Sequence, residues 1–189
     1  MTQDIAVSDV IAFWKEAGPE KWFAADPAFD AEFARRFEAA HFAAARRELD
    51  GWLETPEGAL ALMILLDQFP RNVYRRTGHA FATDPLALAF ARRALDRGHD
   101  QAVSQDLRRF FYLPFQHSEA LADQDRAVAL FQTLDRTDDD RWAEHHHGII
   151  ARFGRFPHRN APLGRDNTPQ EQAFLDEGGF TGQPANTDR

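Results

Sequence analysis

Apolar residues recur along this chain with a helical period, and helix start and stop signals fall between them often enough that no strand is easy to place. Asp26-Pro27 puts a capping acid and a first-turn proline ahead of Phe29, Phe33 and Phe37. Their spacing of four residues stacks three rings on one helix face, which predicts a core face. Thr55-Pro56-Glu57 opens the next predicted helix, which is apolar on every side through Leu66 and is therefore expected at the centre of the fold. Asp84-Pro85 opens another, with Leu86, Phe90 and Ala94 on one side and a close near Gly98. After the cluster Phe110-Phe111-Tyr112-Leu113-Pro114-Phe115 comes a helix over about 118–134, with Leu121, Val128 and Phe131 facing inward. Gln124 and Asp125 lie three and four residues beyond Leu121 and straddle that same face as hydrogen-bonded structure. Asp138 to Asp140 suit a helix N-terminus, and Gly154 suits its end. Thr168-Pro169-Gln170-Glu171 is a capping box that opens a last helix to about Glu177.

The pattern predicts an all-α fold of antiparallel helix pairs, as a bundle or a helical-repeat array, although no clean 34-residue repeat is visible. Residues 1–177 read as one helical domain and 178–189 as a Gly-, Asn- and Pro-rich tail. The one internal similarity is a pair of segments about ninety residues apart, Gln68-Phe69-Pro70-Arg71-Asn72 and Arg155-Phe156-Pro157-His158-Arg159-Asn160. Each follows an apolar helix. Proline lacks an N–H and pushes the residue before it out of the α region, so each motif is expected to stop its helix and present Arg, His and Asn just beyond.

Composition narrows the function classes. With 189 residues and 43% hydrophobic content the chain can bury one good core, and 17 phenylalanines predict an aromatic one. A net charge of -8 argues against a nucleic-acid footprint, which is normally basic. The longest apolar run, 59–66, is far short of the roughly 20 residues that span a bilayer. No basic-then-apolar leader follows Met1, so a cytoplasmic location is expected, with no membrane partner. With zero cysteines there is no disulfide, thiolate metal site or thiol nucleophile. All but two of the 22 basic residues are arginine, the side chain that binds carboxylate or phosphate through a planar fork, although GC-rich codon usage produces the same bias.

Five ordered motifs carry a family resemblance: Leu66-Asp67-Gln68-Phe69-Pro70-Arg71-Asn72, Phe81-Ala82-Thr83-Asp84-Pro85, Phe111-Tyr112-Leu113-Pro114-Phe115, His117-Ser118-Glu119 and Gly154-Arg155-Phe156-Pro157-His158-Arg159-Asn160. Together, from about Val7 to Phe180, they resemble the bacterial domain of unknown function 924. The resemblance implies an all-helical, tetratricopeptide-like right-handed superhelix. It implies no activity, because that family is defined without one.

Read as chemistry, Asp67 is the odd residue, an acid on an apolar helix near its negative end, where it needs a cationic partner such as Arg71. Two readings of the paired motifs stand side by side. In one they terminate helices, with arginines on the last carbonyls and Asn72 and Asn160 bracing turns. In the other, Arg71, Arg155, His158 and Arg159 converge with His117 into a cationic pocket for an anionic small molecule or an acidic peptide group, with Asn72, Glu119 and Asn160 beside it and Asp67 orienting the arginines. An enzyme using His117 as acid–base is the first alternative; it requires His117 and a carboxylate within about 3 Å of each other in a pocket. A protein-binding scaffold is the second, marked by an exposed apolar groove. Glu38-x-x-His41 and Glu144-x-x-His147 match the ligand spacing of di-iron bundles, but their chain order is wrong and no second pair of inward glutamates accompanies them. No metal and no cofactor is expected, and His145, His146 and His147 read as a solvated face from which His146 or His147 could turn toward the second motif.

Overall fold

The computed structural model describes residues 5–134 and 137–181, with the side chains of 137–140 left aside. Every regular element among the described residues is helical. In chain order they are α1 (Val7–Ala17), α2 (Pro19–Trp22), α3 (Pro27–Ala45), α4 (Pro56–Met63), a π-helical segment (Ile64–Gln68), α5 (Phe69–Val73), α6 (Asp84–Asp96), α7 (Gln105–Gln116), α8 (Leu121–Phe131), α9 (Thr137–Phe153) and α10 (Pro169–Asp176). None is long and apolar enough to cross a membrane.

The apolar pattern explains the assembly. Asp26 caps α3 by accepting from the N–H groups of Ala28 and Phe29 at 3.0 and 3.1 Å. Phe29, Phe33 and Phe37 then face Phe13 of α1, whose ring centroid lies 5.2 Å from each of theirs. Removing one such ring, as in Phe33→Ala, typically costs about 3–5 kcal/mol, because the cavity adds to the lost transfer energy. Helix α4 is buried on all sides from Gly58 to Met63 and forms the centre, as its unbroken apolar run predicts. Gly58 is required there: a Cβ would sit 2.1 Å from the Trp52 carbonyl oxygen. Helices α7, α8 and α9 pack in succession on the other side. A small second cluster, Ile149, Ile150 and Phe156 with Phe153, Phe174 and Phe180, closes the C-terminal end.

Four local expectations are corrected. The first Phe-Pro motif does not stop its helix. The chain loosens into the π segment, in which the Phe69 N–H reaches Ile64 O five residues back, and then re-enters α5 with Pro70 in its first turn. Pro70 has no N–H to offer either Leu65 O or Leu66 O, and side chains serve both carbonyls: His41 Nδ1–H donates to Leu65 O at 2.8 Å and the Thr83 hydroxyl to Leu66 O. Second, the 110–115 aromatic cluster lies inside α7, which continues through Pro114 to Gln116. Third, α8 starts at Leu121 rather than 118, because Gln124 Nε2 donates to the carbonyls of Gln116 and Ser118 at 2.7 and 2.6 Å and holds 117–120 as a turn. Fourth, the inward face of α8 is rotated by one residue, so Gln124, Ala127 and Phe131 are buried while Leu121 and Asp125 are exposed.

The second Phe-Pro motif behaves as its sequence predicts. Helix α9 ends at Phe153, Gly154 takes φ +70° with its N–H on Ile150 O, and Phe156 is extended ahead of Pro157. Thr168 and Glu171 form the capping box of α10. The suggestion that Asp138 to Asp140 favour the start of α9 concerns side chains outside the described residues, as does the reading of the first four residues. Of the segment that composition assigns to a tail, Phe180 packs edge-on against His146 at 4.7 Å and His158 at 5.0 Å.

Candidate functional site

Between the main core and the small C-terminal cluster lies a cavity of about 940 Å³. Its cationic wall is built from both Phe-Pro motifs and α7. Arg71, Arg75, Arg76, Arg109 and Arg159 line it together with His117, His146 and His158, and among the described residues no Asp or Glu does so. The rest of the wall combines the rings of Trp22, Phe23, Phe131, Trp142 and Phe180 with the amides of Gln68, Asn72 and Gln116 and with small or aliphatic residues.

The carboxylates stand behind the arginines. Asp84, at the N-terminus of α6, takes both arms of Arg71 at 2.8 Å and one arm of Arg159 at 3.1 Å, so one acid joins the two Phe-Pro motifs. Phe81 lies between those guanidiniums, 5.8 Å from that of Arg71 and 4.6 Å from that of Arg159. Asp67 is wholly buried and meets Arg71 Nη1 at 3.1 Å, Gln68 Nε2 at 2.6 Å and His117 Nδ1 at 2.8 Å. Arg75 is held by Asp30 at 2.9 and 3.1 Å and by Asn72 Oδ1 at 2.7 Å. The pairs around Arg71, Arg159 and Arg75 are close to neutral, so excess positive charge comes from Arg76, which makes no ion pair among the described residues. Arg76 also sits at φ +63°, a left-handed conformation that costs energy for any residue with a Cβ and that the turn at 74–77 holds in place.

Burial and charge set the protonation states. Burial works to raise the Asp67 carboxyl, but Arg71 and His117 override it and hold it at about 2. Burial, with Arg71 adding to it, outweighs Asp67 and pushes His117 below the ordinary imidazole value. Asp67 is thus ionised, accepts from Nδ1–H of a neutral His117, and leaves the Nε2 lone pair unused on a ring that lines the cavity. Burial likewise lowers His146 to about 3, and its Nδ1–H donates to Trp142 O at 2.8 Å. Burial and then Arg159 lower His158 to about 2. Burial brings Arg159 down to about 10, which leaves it a cation at neutral pH. Three buried atoms on this wall, Gln116 Oε1, His158 Nδ1 and Arg159 Nε, have no hydrogen-bond partner among the described residues, an arrangement that native proteins rarely tolerate away from a ligand or solvent site.

Of the residues singled out in the sequence, Arg71, Asn72, His117, His158 and Arg159 meet at the cavity and Asp67 lies directly behind them. Three lie apart. Arg155 turns to α10, where Glu171 accepts at 2.6 Å and Asp166 O at 2.8 Å. Glu119 accepts from Arg165 at 2.7 Å and from the Phe156 N–H at 2.9 Å, bracing the second motif from below. Asn160 is fully buried and donates to Asn167 Oδ1 at 2.7 Å. Sequence reading missed Asp84, treated as a helix starter; His146, placed on a solvated face with the option of turning toward the second motif, is buried, and its ring lies 5.6 Å from that of Phe156. The spacing Ala143, His146, Ile149, Ile150 marks the buried face of α9 and was the available signal for His146. The Glu-x-x-His pairs do different work: Glu38 accepts from Tyr74 OH at 2.7 Å, His41 serves Leu65 O and His79, Glu144 is exposed, and His147 meets Asp125 at 2.9 Å. Among the described residues no group of three His, Cys, Asp or Glu is placed to hold a metal ion.

Known proteins fit this architecture without adding an activity. A family model described as a bacterial protein of unknown function (DUF924) matches residues 10–179. The solved structure of the protein of unknown function ATU0120 from Agrobacterium tumefaciens is 60% identical, covers 91% of this chain and 97% of its own, and superposes with a TM-score of 0.89. No curated protein matches the sequence. Matched over nearly its whole length, the chain belongs to the bacterial DUF924 family.

Proposed function

We propose that the protein binds a small amphipathic anion, its carboxylate or phosphate head at the arginine wall and its apolar or aromatic body against the ring-lined part of the cavity. The observation that carries this reading is the sorting of charge. In a chain of net charge -8, five arginines and, among the described residues, not one acid line a single cavity. Chance placement on an acidic protein would leave carboxylates in the wall. Those nearest it, Asp67 and Asp84, instead sit behind Arg71 and Arg159 and aim their guanidiniums. Arg76 supplies charge that no acid among the described residues consumes, and His158 Nδ1 and Arg159 Nε, without partners among them, offer further hydrogen bonds. The same head-group chemistry accepts the carboxylate of a short acidic peptide that carries an aromatic residue.

Calorimetric titration with phenylacetate, phenyl phosphate and the neutral benzyl alcohol tests this. The anions should bind and the alcohol should not. Arg159→Gln should weaken the anions by about 1.5–3 kcal/mol, the usual worth of a hydrogen bond to a charged group, which is about a ten- to hundredfold loss. Equal binding of the alcohol, or anion binding untouched by Arg159→Gln, would contradict the proposal.

A further inference from the structure

One group in the cavity has a geometry that anion binding does not need. His117 caps α7, and its ring is pinned through Nδ1 to the buried Asp67 at 2.8 Å. A fixed tautomer with a free Nε2 lone pair beside cationic side chains is the arrangement of a general base. A residue that only held an anion would serve better as imidazolium, with both nitrogens donating.

The wall also restricts what such a base can attack. Among the described lining residues the only hydroxyl is that of Thr181; there is no Ser and the chain has no Cys, so a covalent route through a Ser or Cys nucleophile has no starting atom. The wall carries arginines, histidines and the amides of Gln68, Asn72 and Gln116 beside its aromatic rings. With no Ser or Cys to activate, the base is left with a proton of a water or of the bound molecule, and the anion-binding reading favours the bound molecule.

We infer that the cavity is an active site in which His117 removes a proton from the carbon next to the keto group of a bound aromatic 2-oxo acid, with Asp67 as the residue that positions it. This rests on the anion-binding reading above. In the step, the C–H bond breaks, its proton goes to His117 Nε2, and the electron pair moves through the new C=C bond onto the keto oxygen, where arginine supplies the compensating charge. Delivery of the proton to oxygen completes an enolisation, and delivery of a proton or deuteron to carbon restores the keto acid with exchange, in either case with no oxidant or further reactant.

Phenylpyruvate is the probe. Its binding is measured by calorimetry, and loss of its benzylic proton signal is followed by NMR in dilute buffer made with D2O. The wild-type protein should accelerate the exchange by about a hundredfold or more over buffer alone, the usual reach of general-base catalysis. His117→Gln should return the rate to that of buffer while still binding phenylpyruvate, with His117→Asn as a second variant should the first not fold. The groups facing His117 are Asp67 and Arg71 from the π segment and α5, Asp84 from α6, His146 from α9 and His158. Of these, Asp67, through its charge and its hydrogen bond, and then Asp84 raise its basicity. Asp67→Asn should therefore lower the plateau rate and move the acid limb of the pH–rate profile to lower pH, whereas a purely structural Asp67 would lower the rate without moving the limb. Phenylpyruvate that binds but exchanges at the buffer rate overturns the inference and leaves anion binding intact. Failure of phenylpyruvate, phenylacetate and phenyl phosphate all to bind overturns both.

Discussion

The two Phe-Pro motifs are nearly the same letters on different backbones. At Phe69-Pro70-Arg71-Asn72 the chain stays helical through a π segment, while at Phe156-Pro157-His158-Arg159-Asn160 it breaks from α9 into an extended residue and a short 3-10 turn. The difference lies in what replaces the proline N–H. Around Pro70, His41 and Thr83 serve the carbonyls of Leu65 and Leu66, so the helix survives; before Pro157, Gly154 has already ended it. What the two share is the outcome: a fully buried phenylalanine seats each motif, and an arginine from each reaches Asp84. The motif delivers an arginine to a shared acid, and terminating a helix is incidental to that.

Asp84 is where the comparison is most easily broken. Asp84→Ala strips both guanidiniums of a common partner and should cost about 3–5 kcal/mol, the usual effect of leaving buried charge uncompensated; a urea melt that moves by less than 1 kcal/mol would mean that the motifs are not joined there.

Acid sharpens it next, because two of the neutral buried histidines belong to the second motif and to the α9 face behind it. His146 and His158 titrate near 3 and 2 when folded, against about 6.5 when unfolded, so below pH 6.5 the unfolded chain binds protons that the folded one does not. Stability should fall with decreasing pH from about 6.5 to 3, by up to about 1.4 kcal/mol per pH unit for each histidine. His146→Gln should remove one histidine's share, seen as a shallower slope of urea midpoints between pH 7 and 5. Asp67 acts in a separate window: its stabilising effect is present above about pH 4 and fades as pH falls toward 2.

A smaller effect separates the backbones. Thr83→Val leaves Leu66 O without its donor and should cost about 1–3 kcal/mol. Pro70→Ala supplies an N–H on the same stretch and should recover part of that loss in the double variant. Recovery by Pro157→Ala instead would disprove the π-segment account. The smallest expected effect is that of Arg155→Ala, which removes a motif residue facing α10 and should leave binding of phenylacetate unchanged.

Much of this fold was legible in the chain. The Asp26-Pro27, Thr55-Pro56 and Thr168-Pro169 starts are local signals, and the Phe29, Phe33, Phe37 face follows from period alone. The partnership of Asp67 with Arg71 was legible too, since an acid on an apolar helix has few stable alternatives. The π segment was not, because it depends on His41 and Thr83, which lie 24 and 17 residues from the carbonyls they serve. Arg155, His158 and Arg159 look equivalent as letters. Which of them faces the cavity is decided by the 3-10 turn at Pro157–Arg159 and by Glu171, which draws Arg155 away.

The most direct test of the central claim is a double-mutant cycle of phenylacetate affinity across wild type, Arg71→Gln, Arg159→Gln and the double variant. If the two motifs form one anion site, the two losses should be coupled by about 0.5–3 kcal/mol, with the double variant departing from the sum of the singles by that amount. Strict additivity, or an affinity that neither substitution changes, would mean that the motifs do not share a site and would contradict the account.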